Sequence, residues 1–207
     1  MSGCFRTSLV LGITGGLACG KSEVGRVLQK SEFTVCDTDM VAHELMKKGG
    51  PIHEKVVDHF GTKILSSDGE ISRPILGKII FTTPEERKTL NHIVHPVVRD
   101  YLEIWISDAR KKNQNTAVLV PLLFESGMNK LDWDAIICVS SSKELVFERL
   151  EKRGQNQKDA EMRVATQLPL KQKIEQSDYV IPNTGTLDDL EQSTRATVDR
   201  IMAERVL

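Results

Sequence analysis

The apolar residues of this chain follow two patterns, short continuous runs and longer segments with helical spacing. Short apolar runs that contain β-branched residues and stop at glycine or proline are typical of buried parallel strands. By this criterion the sequence predicts five strands, at residues 8–14, 34–36, 116–120, 134–139 and 179–181.

Helical spacing covers most of the remaining chain. It predicts a helix directly after the first strand, a closing surface helix near the C-terminus and five helices between the second and third strands. The predicted helices lie at residues 21–30, 187–206, 40–48, 52–60, 75–81, 85–93 and 97–112, with Pro96 in the first turn of the one that follows it.

Strands that alternate with helices indicate an α/β layer fold with a parallel sheet. The stretch between the second and third strands is too long for one crossover, so it predicts an inserted helical subdomain. The fold class is therefore α/β: a five-stranded parallel sheet flanked by helices, with a helical insertion.

Composition excludes several functions. The chain has 207 residues, 40% of them hydrophobic, and a formal net charge of −1, which disfavours a surface built for nucleic acid. Because no apolar run is long enough to span a bilayer, we expect no membrane partner. The four cysteines, Cys4, Cys19, Cys36 and Cys138, show no metal-ligand spacing. Scattered cysteines and the lack of a signal-peptide cleavage site predict a cytoplasmic protein.

The first strand ends in a glycine-rich loop, residues 15–22, which fits the pattern G-x-x-x-x-G-K-[ST] and opens a predicted helix. Glycines let backbone amides converge on phosphate oxygens, and the helix N-terminus adds partial positive charge. Lys21 would reach the β- and γ-phosphates of a nucleotide, while the Ser22 hydroxyl would hold Mg²⁺. The pattern predicts nucleotide binding but leaves ATPases, GTPases and small-molecule kinases open; we find no N-K-x-D-like guanine motif.

Candidate acceptor-side groups follow the other strands. Asp37 and Asp39 lie at the end of the second strand, where a carboxylate either accepts a hydroxyl proton or caps the next helix. Glu125 follows the third strand and is either near the reaction or on a solvated loop. Arg149 either contacts phosphate or lies on a solvated helix face. His95 has either a structural or a functional role. The local sequence leaves both choices open.

The ordered set of motifs resembles the dephospho-CoA kinase family over nearly the whole length. The resemblance is carried by the phosphate loop and by segments that follow in the family's order. These are Asp37-Thr38-Asp39-Met40-Val41-Ala42-His43, Asp68-Gly69 with Arg73, Leu90-Asn91-His92-Ile93-Val94-His95-Pro96-Val97, Pro121-Leu122-Leu123-Phe124-Glu125, Arg149, Arg153, Arg163, Gln167, Pro169 and Lys173, and Asp178-Tyr179-Val180-Ile181 with Asn183 and Gly185.

This resemblance implies transfer of the ATP γ-phosphoryl group to the ribose 3′-hydroxyl of dephospho-CoA, with Mg²⁺. We expect a monomer or a small homo-oligomer. It implies a nucleotide-binding core at residues 1–39, 114–148 and 178–207, an acceptor-binding domain at 40–113 and a lid at 149–177. The implied catalytic residues are Asp39, as the general base, Lys21 and Arg149. The implied ATP-binding residues are Gly15, Gly16, Ala18, Cys19, Gly20, Lys21, Ser22, Glu23, Arg149, Asn183 and Gly185, and the implied acceptor-binding residues are Thr14, Asp39, His43, Arg73, His95, Leu122, Phe124 and Glu125.

Four residues depart from the family pattern: Ala18, Glu23, Ser72 and Pro182. Ala18 adds a Cβ where the backbone approaches phosphate, so we expect its φ to be negative. The carboxylate of Glu23 would repel phosphate, so we expect it to face solvent.

Overall fold

The computed structural model describes residues 8–205, and Cys4 and the last predicted residue of the closing helix lie outside this range. The elements alternate as the apolar pattern predicts. They are β1 (Val10–Gly15), α1 (Lys21–Lys30), β2 (Thr34–Asp37), α2 (Thr38–Leu45), α3 (His53–Phe60), α4 (Arg73–Thr82), α5 (Pro84–Lys111), β3 (Thr116–Leu119), β4 (Ala135–Ser140), α6 (Lys143–Lys152), α7 (Gln157–Ala165), α8 (Leu170–Glu175), β5 (Tyr179–Pro182) and α9 (Leu187–Glu204).

The five strands form one parallel sheet in the order β2-β3-β1-β4-β5. Strand β1 is central, with Ile13 in register with Leu119 of β3 and with Ile137 of β4. Because all strands run the same way, the segments that follow β1, β3, β4 and β5 leave the sheet at one edge, where ligands of open α/β sheets bind. The predicted fold class is confirmed.

The sheet is buried because its strands are almost entirely apolar. All six residues of β1 and all four of β3 are buried, as the continuous runs predicted. The core of this layer is made of side chains from the strands and from α1, α6 and α9, including Leu11, Ile13, Leu28, Ile137 and Leu150.

The predicted break at Pro96 is wrong. Residues 84–111 form one continuous helix, α5, with Pro96 in its interior. Proline there removes a backbone hydrogen bond and costs about 3 kcal/mol in an isolated helix. The buried stripe Leu90, Val94, Val98 and Leu102 continues at a spacing of four through Pro96, and its burial offsets that cost.

The chain divides into two compact units. The first comprises residues up to Asp37 and from Ile106 onward, and it contains the whole sheet. The second, Thr38–Trp105, is helical apart from one isolated bridge between Leu65 and Ile71. The domain boundaries implied by the family resemblance stay a prediction.

Candidate active site

The loop between β1 and α1, residues 15–22, has backbone geometry that requires glycine at both ends. Gly15 has φ of 144° and Gly20 has φ of 100°, values that L side chains rarely adopt. A Cβ at position 15 would overlap the Val139 carbonyl oxygen, and a Cβ at position 20 would overlap Nδ2 of Asn183. The loop is therefore packed closely against the ends of β4 and β5.

Ala18 contradicts the expectation of a negative φ. Its φ is 54°, in the left-handed region, although it is not glycine. This conformation costs an alanine roughly 1–2 kcal/mol, because its Cβ crowds the following carbonyl. The rest of the loop therefore imposes this conformation on Ala18.

Replacing Ala18 with glycine should raise the free energy of unfolding by about 0.5–1 kcal/mol, because relief of the strain exceeds the entropy that glycine adds to the unfolded chain. Urea unfolding of the two proteins measures the difference. The control is Ala196→Gly on the exposed face of α9, which should lower the free energy of unfolding by about 1 kcal/mol. Equal losses in both variants would contradict the strain at Ala18.

The functional side chains of the loop follow at the start of α1. The Lys21 Nζ atom donates to the carbonyl oxygens of Gly15 at 3.2 Å and Gly16 at 2.8 Å, which places its positive charge within the loop. Ser22 is exposed in the first turn of the helix. Glu23 accepts a hydrogen bond from Arg26 at 2.5 Å on an exposed face, as expected from its charge.

A cluster of three side chains, Ser141, Arg149 and Asn183, lies against the same loop; we call it the Asn183 cluster. Arg149 donates to the Ala18 carbonyl oxygen at 3.3 Å, to Ser141 Oγ at 2.9 Å and to Asn183 Oδ1 at 3.2 Å. Asn183 Nδ2 donates to the Cys19 carbonyl oxygen at 2.9 Å. The fold thus brings Arg149 and Asn183 to the loop together with Ser141, which no sequence motif marks.

The segment after β3 is held by a buried lysine. Lys173 of α8 is fully buried; its Nζ lies 2.9 Å from Glu125 Oε1 and donates to the Pro121 carbonyl oxygen at 2.7 Å. The same Glu125 oxygen accepts from the Leu168 amide at 2.9 Å. Sequence reasoning assigned Lys173 no role, because nothing in its local pattern indicates burial. Leu122 and Phe124, two other predicted acceptor contacts, are half-buried in this segment.

Other predicted site residues have different surroundings. Thr14 is fully buried in β1. His43, Arg73 and His95 lie on α2, α4 and α5 in the second unit. Gly185 is exposed just before α9.

The aspartate pair is divided between two elements. Asp37 is the last residue of β2 and Asp39 is the second residue of α2, because this helix begins at Thr38 rather than near Met40. Asp39 is exposed and lies within the first turn, so the position in front of the helix, where a capping residue stands, belongs to Asp37.

The buried thiols are protected from ionisation. Burial raises the pKa of Cys19, although the charges of Lys21 and Arg149 partly oppose this. Burial likewise raises the pKa of Cys138 and of Cys36 to about 11 each. The Cys19 thiol of the phosphate loop is thus in its neutral, unreactive form at neutral pH.

These shifts predict alkaline destabilisation. The folded protein keeps Cys138 protonated, whereas the unfolded chain releases this proton near pH 9.0. The contribution of the neutral thiol to the free energy of unfolding is therefore complete below pH 9 and is lost as pH rises towards about 11. For one buried thiol the difference between a pKa of 9.0 and one of about 11 makes this loss about 2–3 kcal/mol. Urea unfolding between pH 8 and 11 should show a shallower decline for Cys138→Ala than for the parent; parallel declines would contradict the shift.

The sheet order and the loop define the class of protein. A parallel sheet whose central strand runs into a glycine-rich loop, with lysine and serine opening the next helix, defines a P-loop nucleotide-binding protein. The family model for dephospho-CoA kinase matches residues 9–189. The chain belongs to the dephospho-CoA kinase family, which uses ATP to phosphorylate dephospho-CoA to CoA.

Individual relatives agree with this assignment. The chain is 39% identical to a dephospho-CoA kinase from Bacillus anthracis over 182 residues, which are 87% of this chain and 90% of that protein. A solved dephospho-CoA kinase from Campylobacter jejuni is 28% identical with a TM-score of 0.69, covering 93% and 96% of the two chains. A crystal structure of a protein from Thermus thermophilus has the same identity, 28%, and a TM-score of 0.74, covering 93% and 97%. Across residues 8–205 we find no helix with the length and apolar character that crossing a membrane requires.

Proposed function

We propose that this protein transfers the γ-phosphoryl group of ATP, bound in the phosphate loop, to the ribose 3′-hydroxyl of dephospho-CoA. The observation that carries the proposal is the Lys21 ammonium within hydrogen-bond distance of the Gly15 and Gly16 carbonyls. A positive charge at this point of the loop favours the β- and γ-phosphates and the charge that develops between them during transfer.

In the proposed step the 3′-oxygen forms a bond to the γ-phosphorus while the bond between that phosphorus and the bridging oxygen of ADP breaks. The hydroxyl proton passes to Asp39, which acts as general base. Support for Asp39 comes from its exposed carboxylate, two residues beyond the carboxyl end of β2. The products are ADP and CoA, and no other reactant is needed.

Ser22 is the residue that we propose to hold Mg²⁺. Its hydroxyl is a hard oxygen ligand, and it is exposed at the start of α1 beside Lys21. Over residues 8–205 no group of three or more His, Cys, Asp or Glu side chains forms a metal cage. Mg²⁺ is commonly bound through one or two protein groups together with the phosphates of the nucleotide. When bound, the ion would neutralise charge on the phosphate oxygens.

The other implied roles are parts of the same proposal. Residues 40–113 would bind the acceptor, with His43, Arg73 and His95 among the contacts, and residues 149–177 would form a lid that excludes water. Gly185 would lie on the adenine side. Free, buried thiols at Cys19, Cys36 and Cys138 support a cytoplasmic location, where thiols stay reduced.

A panel of acceptors tests the proposal. ADP release is measured with ATP and Mg²⁺ alone, and then with dephospho-CoA, adenosine, other nucleosides or AMP. We expect release that depends on dephospho-CoA and on no nucleoside. Proton–phosphorus correlation NMR of the product should place the new phosphate on the 3′-oxygen.

Three outcomes would contradict the proposal. A nucleoside that supports faster release would indicate a nucleoside kinase, and no release with any acceptor would indicate a binding protein without turnover. A new phosphate on another oxygen of dephospho-CoA would overturn the assigned regiochemistry alone.

A further inference from the structure

The Asn183 cluster does more than lie beside the phosphate loop, because it binds two consecutive carbonyls of that loop. Arg149 donates to the Ala18 oxygen and Asn183 Nδ2 donates to the Cys19 oxygen. Both donors come from elements more than a hundred residues away in the chain, at the end of α6 and directly after β5.

The orientation of a peptide carbonyl fixes that of the amide on the same peptide unit. The loop has no cis peptide bonds, so each N–H points away from the C=O of the preceding residue. The peptide unit between Ala18 and Cys19 is an example. Its carbonyl accepts from Arg149, while its N–H, that of Cys19, donates to the Gly16 carbonyl oxygen at 3.3 Å. By the same geometry, the bond from Asn183 to the Cys19 oxygen turns the Gly20 amide away from Asn183.

The cluster is itself fixed and buried. Asn183 is 5% exposed, and its backbone N–H donates to the Ser140 carbonyl oxygen at 2.7 Å. Its own carbonyl accepts from Ser141 Oγ at 2.5 Å and from Arg149 at 3.2 Å. Its side-chain oxygen accepts from Arg149, and its side-chain nitrogen occupies the space that a Cβ on Gly20 would need. These bonds hold the side chain in one orientation.

We propose that Asn183 and Ser141, acting with Arg149, are positioning residues. They orient the backbone amides of the phosphate loop through the hydrogen bonds to its Ala18 and Cys19 carbonyls. The inference rests on the proposed binding of nucleotide phosphates to this loop. It gives Asn183 a role toward the phosphates, through the backbone, in place of a role toward adenine. It also explains why Ala18 keeps its left-handed conformation, since its carbonyl is one of the two that are held.

The test separates the phosphate and adenine parts of the nucleotide. Binding of ADP, pyrophosphate and adenosine to the full chain is measured by titration calorimetry, in competition with ADP where binding is weak. Asn183→Ala should lower the affinities for ADP and for pyrophosphate by the same factor, about tenfold, which is the scale of one buried hydrogen bond. Adenosine should change by less than about twofold.

Two further variants guard against a trivial loss of folding. Ser141→Ala removes a buried hydroxyl that links Asn183 to Arg149, and it should reproduce the same pattern with a smaller loss of about two- to fivefold. The matched control is Asn115→Ala, because Asn115 Oδ1 accepts from the Leu9 amide at the opposite end of β1. This control should leave the affinity for all three probes unchanged, and thermal melting confirms that each variant is folded.

The outcomes distinguish this inference from the proposed function. If Asn183→Ala loses affinity for ADP and adenosine but not for pyrophosphate, Asn183 contacts the base and the inference is overturned. The inference is also overturned if Asn183→Ala binds all three probes as the parent does, or if Asn115→Ala shows an equal loss. If Lys21→Ala weakens pyrophosphate and Asn183→Ala does not, only the inference fails. If the parent and Lys21→Ala bind pyrophosphate with the same affinity, the proposed phosphate site fails together with the inference.

Discussion

Replacing Lys21 with alanine should lower kcat for CoA formation by roughly a hundredfold to a thousandfold, while the protein stays folded. The ammonium is the charged group that contacts the loop carbonyls of Gly15 and Gly16, and alanine removes it without creating a void in the core. Because charge develops on the phosphates during transfer, the loss should be larger in kcat than in ATP binding.

Steady-state kinetics with varied ATP and saturating dephospho-CoA measure this effect, and circular dichroism monitors the fold. Lys30→Ala is the matched control, because Lys30 ends the same helix in an exposed ion pair with Glu191 at 3.6 Å. An exposed pair of this kind contributes little, so kcat should stay within about twofold. Unchanged turnover in Lys21→Ala would remove the argument from the phosphate loop.

Asp39→Asn should lower kcat by roughly a hundredfold or more, with the affinity for ATP nearly unchanged. Asparagine keeps the shape and a hydrogen-bonding oxygen, but it cannot accept the proton of the 3′-hydroxyl. Asp39 is exposed in the first turn of α2, so the substitution is made at the surface and not in the core.

The measurement for Asp39 separates chemistry from binding. Single-turnover rates report the transfer step, and calorimetry reports ATP affinity. Asp58→Asn, another exposed aspartate in a helix of the same unit, should change neither. If ATP binding collapses in Asp39→Asn and the transfer rate survives, the carboxylate helps to hold the nucleotide or its metal ion and is not the base.

The sequence predicted the elements of the core well because they depend on local patterns. Helix α1 was predicted at residues 21–30 and is observed at Lys21–Lys30, and all five strands lie within about two residues of their predicted bounds. The patterning failed at Pro96, where the local cost of proline is outweighed by burial that a local rule does not include. It failed again at Ala18, whose φ is imposed by contacts with distant residues.

By itself the sequence determined the α/β class, the phosphate loop after the first strand and the family, because apolar periodicity and an ordered set of motifs are properties of the chain alone. Only the tertiary structure decided the sheet order, the pairing of Lys173 with Glu125 and the attachment of the Asn183 cluster to the loop. The last of these joins residues 164 positions apart. Side chains that are distant in sequence meet only after the parallel strands have aligned, so no local pattern could have predicted which of them would hold the loop carbonyls.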